Sequence, residues 1–391
     1  MHLIIAEKHD AAKRIAQILA AGKPRSLRVA GVEAFQFDDR VVLGLSGHIV
    51  GIDYPQGYNN WQKVDCKDLI RAEIVVRPIQ EKIISALHKL GKEADRVTIA
   101  TDYDREGELI GVEALKIVEE AKPKIKADRV RYSAIVKDEI IKAFQDSGNV
   151  DYELAASGEA RQIIDLVWGA ALTRYISLTS GRLGKEFLSV GRVQSPTLAL
   201  IVDREKEIQS FVPQPYWEIY ADLEKELRVQ HAKGRIWEKS EVDGIISRLG
   251  PEGIITSIET KQRIDRPPAP FDTTSFIAAA SGIGLSAANA MRIAEWLYTN
   301  GFISYPRTDN TVYPPSIDLS ALTRLFLTGA FAQEAARLLQ GKMQPTRGKR
   351  ETTDHPPIYP TAALERGSLK DDQWKVYELV VRRFFATLAE A

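Results

Sequence analysis

Residues 97–108 read Val-Thr-Ile-Ala-Thr-Asp-Tyr-Asp-Arg-Glu-Gly-Glu. The apolar run Val97–Ala100 predicts a short buried strand, and the loop directly after it carries alternate carboxylates at Asp102 and Asp104. Apolar residues then recur at helical spacing over residues 110–118. Functional groups of α/β sheets gather at the carboxyl ends of the strands. This order therefore predicts an α/β fold with a functional site at the acidic loop.

The N-terminus shows a similar arrangement. Leu3–Ala6 is a second compact apolar run, and Glu7 and Lys8 follow it directly. We expect a helix after them, with Asp10 as its N-cap and Ile15 on its buried face. Both acidic loops therefore follow predicted strands, where a site is expected.

These acidic residues are suited to a magnesium ion. Asp102, Asp104 and Glu106 alternate along one loop, and Glu7 adds a further carboxylate from the other strand end. Two or three carboxylates suffice, because Mg²⁺ usually keeps several of its waters. The later ligand spacing of a calcium-binding EF-hand is missing. The alternative is a solvated acidic loop that caps a helix.

The composition allows a multidomain globular chain. It has 391 residues, with 53 basic and 53 acidic residues and a formal net charge of zero, and its length predicts two to four domains. A neutral total weighs against a nucleic-acid binder, but basic residues concentrate in 122–131, 174–192 and 342–350, so a basic groove can lie beside an acidic site. Cys66 is the only cysteine, which excludes an internal disulfide and disfavours a zinc site, and fits a cytoplasmic setting. No apolar run is long enough to span a bilayer, so we expect no membrane partner.

Later segments differ in their patterns. Residues 151–209 are mainly helical in pattern, residues 216–262 resemble a small β element, and the proline-rich run 266–270 predicts a linker. A helix is expected over 273–300, ended by Gly301. A last helix is expected from about Lys370 onward.

Residues 301–309 read Gly-Phe-Ile-Ser-Tyr-Pro-Arg-Thr-Asp. A tyrosine phenol has a pKa of about 10 and is a poor nucleophile when left alone. Arg307 can favour the phenolate and hold a phosphate oxygen, because its planar fork matches phosphate geometry. The pattern fits a nucleophilic Tyr305, and it fits equally a packed aromatic residue beside a structural arginine.

Residues 189–196 read Ser-Val-Gly-Arg-Val-Gln-Ser-Pro. Small residues permit close backbone approach, and Arg192 and Gln194 can bind phosphates or base edges. The same stretch predicts a helix start, with Ser195 as N-cap and Pro196 as the first helical residue. A helix N-terminus is itself a phosphate site.

Two histidines lie in loops of unusual composition. His355 stands in the proline-rich run 354–361, where it can donate to a phosphate or to a leaving oxygen. His48 follows Ser46 and Gly47. Either one can instead be an exposed loop histidine with no such role.

Taken together, these strings resemble the type IA DNA topoisomerases, most closely the archaeal topoisomerase I branch. The matching elements are Glu7-Lys8, Ser46-Gly47-His48, Asp102-x-Asp104-x-Glu106, Ser189–Gln194, Tyr305–Asp309 and His355–Ile358. The resemblance implies a multidomain α/β plus α fold that forms part of a toroidal core. The implied domains are a Toprim α/β domain (1–148), the first part of a helical DNA-binding domain (149–212), the first part of a β domain (213–268), and a helical domain that carries the tyrosine (269–391).

The resemblance also implies an activity and its residues. Tyr305 would attack a DNA phosphodiester to form a 5′-phosphotyrosine and free a 3′-hydroxyl, and the strand would later be rejoined. The implied catalytic residues are Tyr305, Glu7, Lys8, Arg307 and His355, and the implied Mg²⁺ ligands are Glu7, Asp102, Asp104 and Glu106. The implied DNA-binding residues are His48, Arg105, Arg161, Ser189, Val190, Gly191, Arg192, Val193, Gln194 and Arg307.

The same resemblance sets expectations for cofactors and partners. The stored phosphotyrosine bond means that resealing needs no ATP, and the sequence has no Gly-x-x-x-x-Gly-Lys-Ser/Thr loop. We expect single-stranded DNA at the cleavage site, a monomer associated with the nucleoid in the cytoplasm, and no zinc in this chain. A helicase partner cannot be read from the sequence.

One departure from the family concerns length. Family members continue past the position that corresponds to Ala391, so we expect a truncated chain in which cleavage and religation are favoured over full strand passage. Two other hypotheses stay open. One is a Toprim-type nuclease or primase that uses only the acidic cluster, and the other is a DNA-binding fragment without catalysis.

Overall fold

The computed structural model describes residues 1–390, apart from the side chain of Lys225. It divides into two compact units, residues 1–189 with 264–390 and residues 190–263. This division is coarser than the four predicted domains, whose boundaries stay predictions.

The N-terminal part of the first unit is an α/β layer structure. Its elements are β1 (His2–Ala6), α1 (His9–Leu19), β2 (Arg25–Val29), β3 (Val32–Phe37), β4 (Arg40–Gly44), β5 (Val50–Asp53), β6 (Val75–Pro78), α2 (Glu81–Glu93), β7 (Arg96–Ala100), α3 (Arg105–Ala121), β8 (Lys126–Arg129) and α4 (Lys137–Gln145). Six strands form one sheet in the order β2-β3-β4-β1-β7-β8, and β5 pairs with β6 in a separate ribbon. In the six-stranded sheet, β1 is parallel to both neighbours β4 and β7. The strands predicted at Leu3–Ala6 and Val97–Ala100 are confirmed.

The central strands are mainly apolar because both faces of the sheet are covered. Ile4 and Ala6 face one hydrophobic cluster, whereas Leu3 and Ile5 face the other. The register pairs Ala6 with Ala100. Consequently the residues that follow β1 and those that follow β7 leave the sheet at the same edge.

Helix α1 begins differently from the prediction. Its N-cap is Lys8, without a side-chain cap, and Asp10 lies in the first turn. Asp10 was therefore wrongly assigned as the N-cap, although a carboxylate in the first turn still complements the helix dipole. Ile15 is buried, as expected.

The helical part of the first unit contains α5 (Tyr152–Thr179), α8 (Thr273–Gly282), α9 (Ala287–Thr299), α10 (Leu319–Arg324), α11 (Ala332–Gln340) and α12 (Asp371–Leu388). Helix α5 packs closely on α3, because a Cβ added at Gly158 would lie 2.6 Å from the carbonyl oxygen of Arg105. One hydrophobic cluster continues from the sheet into these helices.

The helix predicted over 273–300 is in fact two helices. Gly284 adopts φ +86° in the break between α8 and α9, a left-handed conformation that favours glycine. Ser286 then caps α9 by accepting a hydrogen bond from the backbone N–H of Asn289. Gly301, with φ +69°, follows α9 and confirms the predicted end.

The second unit contains α6 (Gln194–Ser210), β9 (Tyr220–Asp222), β10 (Arg228–Gln230) and α7 (Lys239–Ile246). The β element predicted at 216–262 is confirmed only in its first part, where β9 and β10 pair as short strands, and α7 was not predicted. Helix α6 begins at Gln194 with Val193 as its N-cap, so Ser195 is not the capping residue.

Among the described residues, no single helix is long and apolar enough to cross a membrane. The bent pair α8–α9 meets the test only by length and composition, with 116° between its helices. Its large apolar residues Phe276, Ile293 and Leu297 are buried in the domain core.

Candidate active site

Tyr305 meets the acidic loop that follows β7. Its hydroxyl donates to Oδ2 of Asp104 at 2.5 Å, and the side chain is 4% exposed. Tyr298, on α9, makes the parallel contact, because its hydroxyl donates to Oδ1 of Asp102 at 2.9 Å. Two phenols from the helical part therefore bind two carboxylates from the sheet edge.

The register of β1 and β7 brings the first acidic residue to the same place. The backbone N–H of Asp102 donates to Oε2 of Glu7 at 3.3 Å. Lys8 stands between the two carboxylates, with its Nζ 3.5 Å from Glu7 Oε1 and 3.8 Å from Asp102 Oδ2. Burial, and then the charge of Asp102, raise the pKa of Glu7, and burial also raises the pKa of Asp102. The cluster therefore holds negative charge that Lys8 only partly offsets.

Two features fix the backbone of the acidic loop. A Cβ added at Gly107 would lie 2.1 Å from the carbonyl oxygen of Asp102, so this position accepts only glycine without a rearrangement. Arg129 is fully buried and donates to the carbonyl oxygens of Thr101 at 2.8 Å and Asp102 at 2.9 Å. Its charge is paired with the buried carboxylate of Glu108 at 2.7 Å. The loop is therefore held from both sides.

The acidic cluster offers carboxylate oxygens to a magnesium ion. Among residues 1–390, no three acidic, histidine or cysteine side chains form a ready-made metal cage. Glu7, Asp102 and Asp104 nevertheless supply carboxylate oxygens at one edge, and Mg²⁺ needs only one or two of these besides water. Their raised pKa values at Glu7 and Asp102 also indicate a charge imbalance that a cation would relieve. The chemistry of these residues therefore fits a magnesium ion.

Glu106 lies apart from this cluster. Its carboxylate contacts His48 Nε2 at 2.8 Å and Arg161 at 3.8 Å. His48 also contacts Glu113 through Nδ1 at 3.1 Å, and these hydrogen bonds, that of Glu113 first, raise its pKa to about 9. To act as a metal ligand, Glu106 would have to leave His48 and Arg161, so its predicted role stays a prediction.

His355 packs directly on the tyrosine. The two ring centroids are 4.4 Å apart. Nε2 lies 2.8 Å from the carbonyl oxygen of Tyr103, which can only accept, so Nε2 carries the proton and Nδ1 accepts from the Ser133 hydroxyl at 3.1 Å. Burial lowers the pKa of His355, which favours this neutral form. Ser133 also accepts a hydrogen bond from the backbone N–H of Tyr305 at 2.8 Å.

Arg307 is exposed and ion-paired. Its Nε donates to Glu295 Oε1 at 3.0 Å, and a second guanidinium nitrogen contacts the same oxygen. The guanidinium is thus held beside the site, near Lys8. Burial opposes the charge of Lys8, but Asp102, Glu7 and then Glu295 raise its pKa. To bind a phosphate at Tyr305, Arg307 would exchange Glu295 for the phosphate.

The structure thus brings together Glu7, Lys8, Asp102, Asp104, Tyr305 and His355. Arg105 is exposed at the start of α3. Ser189 ends the first unit, whereas Val190–Gln194 belong to the second, so their predicted DNA contacts stay predictions.

Sequence reasoning missed four site residues: Tyr298, Glu295, Ser133 and Arg129. The hydroxyl of Tyr298 and the carboxylate of Glu295 lie on a helix whose apolar spacing predicted only core packing. No local pattern marks Ser133. A charged residue at the end of a strand, as at Arg129, was the one available signal.

Comparisons with known proteins identify the family of the chain. Residues 2–135 match the Toprim domain and residues 149–391 match the DNA topoisomerase family. The chain is 51% identical over 390 residues to DNA topoisomerase 1 of Archaeoglobus fulgidus, covering 99% of this chain and 58% of that protein. It is 44% identical over 394 residues to DNA topoisomerase 1 of Thermoplasma acidophilum, covering 99% of this chain and 51% of that protein.

A solved structure leads to the same family. Full-length topoisomerase I from Thermotoga maritima superposes with a TM-score of 0.71 at 28% identity, covering 99% of this chain and 60% of that one. The chain thus spans between half and three-fifths of the length of these relatives. With both domains matched in order along the chain, the protein belongs to the type IA DNA topoisomerases.

Proposed function

We propose that this chain cleaves and rejoins one DNA strand through a covalent phosphotyrosine at Tyr305, without ATP. The observation that carries the proposal is the 2.5 Å hydrogen bond from the Tyr305 hydroxyl to Asp104. Burial, and then the charges of Asp102 and Asp104, raise the pKa of Tyr305 far above its ordinary value. The phenol is therefore neutral at rest and needs a proton acceptor at the moment of attack.

Asp104 is the proton acceptor in this mechanism. As the phenolic oxygen bonds to phosphorus, its proton passes to Asp104, and the bond from phosphorus to the deoxyribose 3′-oxygen breaks. The leaving 3′-oxygen takes a proton from Glu7, whose raised pKa favours the protonated acid. Religation reverses each step: the 3′-hydroxyl attacks phosphorus, Glu7 receives its proton, and Asp104 returns one to Tyr305.

Cationic groups stabilise the phosphate during both steps. Lys8 lies at the acidic cluster and Arg307 lies two residues from the nucleophile. Arg307 is the better bidentate partner for phosphate because of its planar fork. His355 packs against the ring of Tyr305. It can donate to the phosphate if its imidazole ring rotates so that the Nε2–H group leaves the carbonyl oxygen of Tyr103.

Magnesium would be held by Asp102 and Asp104, by Glu7 while its carboxylate is deprotonated, and by Glu106 only after it leaves His48. When bound, the ion would neutralise carboxylate charge and favour the approach of the DNA phosphate. The residues of this chain position the nucleophile and move the protons.

The DNA is single-stranded at the cleavage site, and a full cycle relaxes negatively supercoiled DNA. His48, Arg105, Arg161 and Ser189–Gln194 are proposed to contact it. Strand passage, a monomeric state, nucleoid localisation and any helicase partner belong to this proposal as well. The chain spans 58% and 51% of the length of two relatives, and the activities that the site residues described above would perform are cleavage and religation.

A covalent adduct tests the proposal. Single-stranded DNA labelled at its 3′ end is incubated with the protein and Mg²⁺, quenched with denaturant, and resolved on a denaturing gel. We expect labelled protein with the wild type and none with Tyr305→Phe. Tyr313→Phe is the matched control, since Tyr313 is also buried and packs on Tyr359 and Phe384.

The other two hypotheses give different results in the same assay. Metal-dependent cutting without labelled protein would support a Toprim-type nuclease. DNA binding without cutting would support a non-catalytic fragment. Either result with wild-type protein would reject the phosphotyrosine mechanism for this chain.

A further inference from the structure

The chain after Tyr305 continues as an irregular segment in which exposed and buried residues alternate, and its exposed residues are called the exposed edge below. Along it, Arg307 and Asp309 are exposed, whereas Thr308 and Asn310 are buried. The exposed edge therefore runs from Arg307 to Asp309, and both side chains are accessible to a bound strand. This edge leads away from the nucleophile.

A basic loop is fixed along the end of this segment. The backbone N–H and the hydroxyl of Thr311 both donate to the carbonyl oxygen of Arg350 at 2.9 Å. The N–H of Gly348 donates to the carbonyl oxygen of Thr311 at 3.0 Å. A Cβ added at Gly348 would lie 2.2 Å from the Thr311 hydroxyl, so the approach requires glycine there. The loop is therefore held in one position relative to the tyrosine motif.

This loop adds three exposed cations, Arg347, Lys349 and Arg350. Arg350 lies 3.7 Å from Asp309, and Arg347 pairs with Glu351. Both pairs are strongly exposed, and exposed ion pairs contribute little free energy. A phosphate can therefore replace Asp309 and Glu351 as the partner of these guanidinium groups at a small cost in free energy. Arg347, Lys349 and Arg350 are called the cationic track below.

The track lies within reach of a strand attached to Tyr305. Thr311 lies six residue steps after Tyr305, a span of at most about 20 Å even in a fully extended chain. At the axial rise of one DNA strand, about 3.4 Å per nucleotide, that corresponds to roughly six nucleotides, and to fewer when the strand is stretched. The exposed edge begins at Arg307, next to the tyrosine motif, and ends at Asp309, which contacts Arg350 of the cationic track.

We propose that the cationic track binds the backbone phosphates of the strand that Tyr305 holds, within about six nucleotides on the 3′ side of the cleaved bond. This inference rests on the proposed function, because it takes Tyr305 as the point of attachment. The contacts are to phosphates, so they hold the strand without regard to base sequence. Their role is to keep the cleaved end near the 3′-hydroxyl until religation.

The first test measures binding and does not require cleavage. Fluorescence anisotropy with a labelled single strand compares the wild type with Arg347→Gln/Lys349→Gln/Arg350→Gln. The matched control is Lys82→Gln/Lys89→Gln/Lys92→Gln, which removes three exposed charges from α2. Three lost phosphate contacts lower the salt slope by about 2, so between 50 and 200 mM salt the variant's affinity falls about 20-fold less than that of the wild type. An unchanged salt slope, or an equal change of the slope in the control, would contradict the proposal that the cationic track binds DNA.

The second test locates the contact. The cleavage position on one oligonucleotide is mapped, and the strand is then shortened from its 3′ end while the upstream part stays constant. Wild-type adduct yield at limiting DNA should fall as the downstream part shortens from about six to two nucleotides. The track variant should give the same low yield at all these lengths, and the α2 control should follow the wild type. A variant that keeps the wild-type length dependence contradicts the proposal.

The two tests separate the track from the proposed function. A wild type that forms no adduct rejects the phosphotyrosine mechanism, and the proposal that the track holds the cleaved strand fails with it, whatever the salt slopes are. Normal adduct formation with unchanged salt slopes rejects the track alone.

Discussion

Asp104 has a separate task for each carboxylate oxygen. Oδ1 accepts a hydrogen bond from the backbone N–H of Gly107 at 2.7 Å and so caps α3, while Oδ2 accepts from Tyr305. Capping fixes the carboxylate plane, and the fixed plane presents Oδ2 to the phenol. The residue that caps a helix is thereby aligned with the phenol for its proposed role as proton acceptor.

Asp104→Asn separates these two tasks. Asparagine caps helices about as well as aspartate, so the variant should fold with a melting temperature close to that of the wild type. It cannot take the phenolic proton, so the rate of adduct formation should fall about 10²- to 10⁴-fold. Rapid-quench measurement of labelled protein checks this. A rate within threefold of the wild type would show that another group accepts the proton.

The elements around the site meet at His48, in the loop between β4 and β5. Its ring contacts Glu106 and Glu113 on α3, and Gln162 on α5 contacts it at 3.2 Å. One histidine therefore joins three elements of the first unit. His48 also holds the carboxylate of Glu106 by a hydrogen bond, whereas the sequence pattern alone placed Glu106 with the metal ligands.

The stability that His48 contributes should depend on pH. Its pKa is about 9 in the folded protein, against 6.5 for an ordinary histidine, so the folded state binds the extra proton between these values. The contribution is therefore complete below about pH 6.5, decreases as pH rises, and is lost above about pH 9. After allowance for partial exposure, it amounts to about 1–2 kcal/mol.

Urea unfolding of the wild type and His48→Gln at pH 6.5 and pH 9.5 measures this. The difference between the two proteins should be largest at pH 6.5 and close to zero at pH 9.5. His88→Gln, in α2, is the control for histidine titration in general. A difference that does not change with pH would mean that His48 acts by packing and not by charge.

At the scale of the whole molecule, the site is formed where the sheet edge meets the helical part. Among the described residues, five hydrogen bonds at the site join the two sides: Tyr305 to Asp104, Tyr298 to Asp102, His355 to the carbonyl of Tyr103 and to the Ser133 hydroxyl, and the Tyr305 backbone to Ser133. Four of them involve side chains of the proposed mechanism. Any separation of the two sides would therefore take the site apart as it opens.

Magnesium should stabilise the folded chain through the same cluster. Binding only to the folded state at ten times the dissociation constant contributes about 1.4 kcal/mol, which corresponds to a rise in melting temperature of roughly 2 °C. Scanning calorimetry with and without millimolar Mg²⁺ measures the rise near neutral pH. Glu7→Gln/Asp102→Asn should abolish it, while Asp138→Asn, an exposed position in the first turn of α4, should not. An equal rise in the double variant would place the ion elsewhere.

The sequence by itself determined the strands at Leu3–Ala6 and Val97–Ala100, the acidic loop after the second, and the motif around Tyr305. It could do so because strand and helix periods and turn residues are local properties of the chain. The ordered motifs were also sufficient to indicate the family, which the comparisons confirm.

Only the tertiary structure decided which groups share a proton or a charge. Asp104 and Tyr305 are 201 residues apart in the chain, and their hydrogen bond depends on how the sheet edge packs against the helices. The same packing places Glu106 beside His48 and pairs Arg307 with Glu295. It also places the loop of Arg347, Lys349 and Arg350 beside Thr311. A side chain's partner is chosen by distance in space and by burial, and neither is a property of the local sequence.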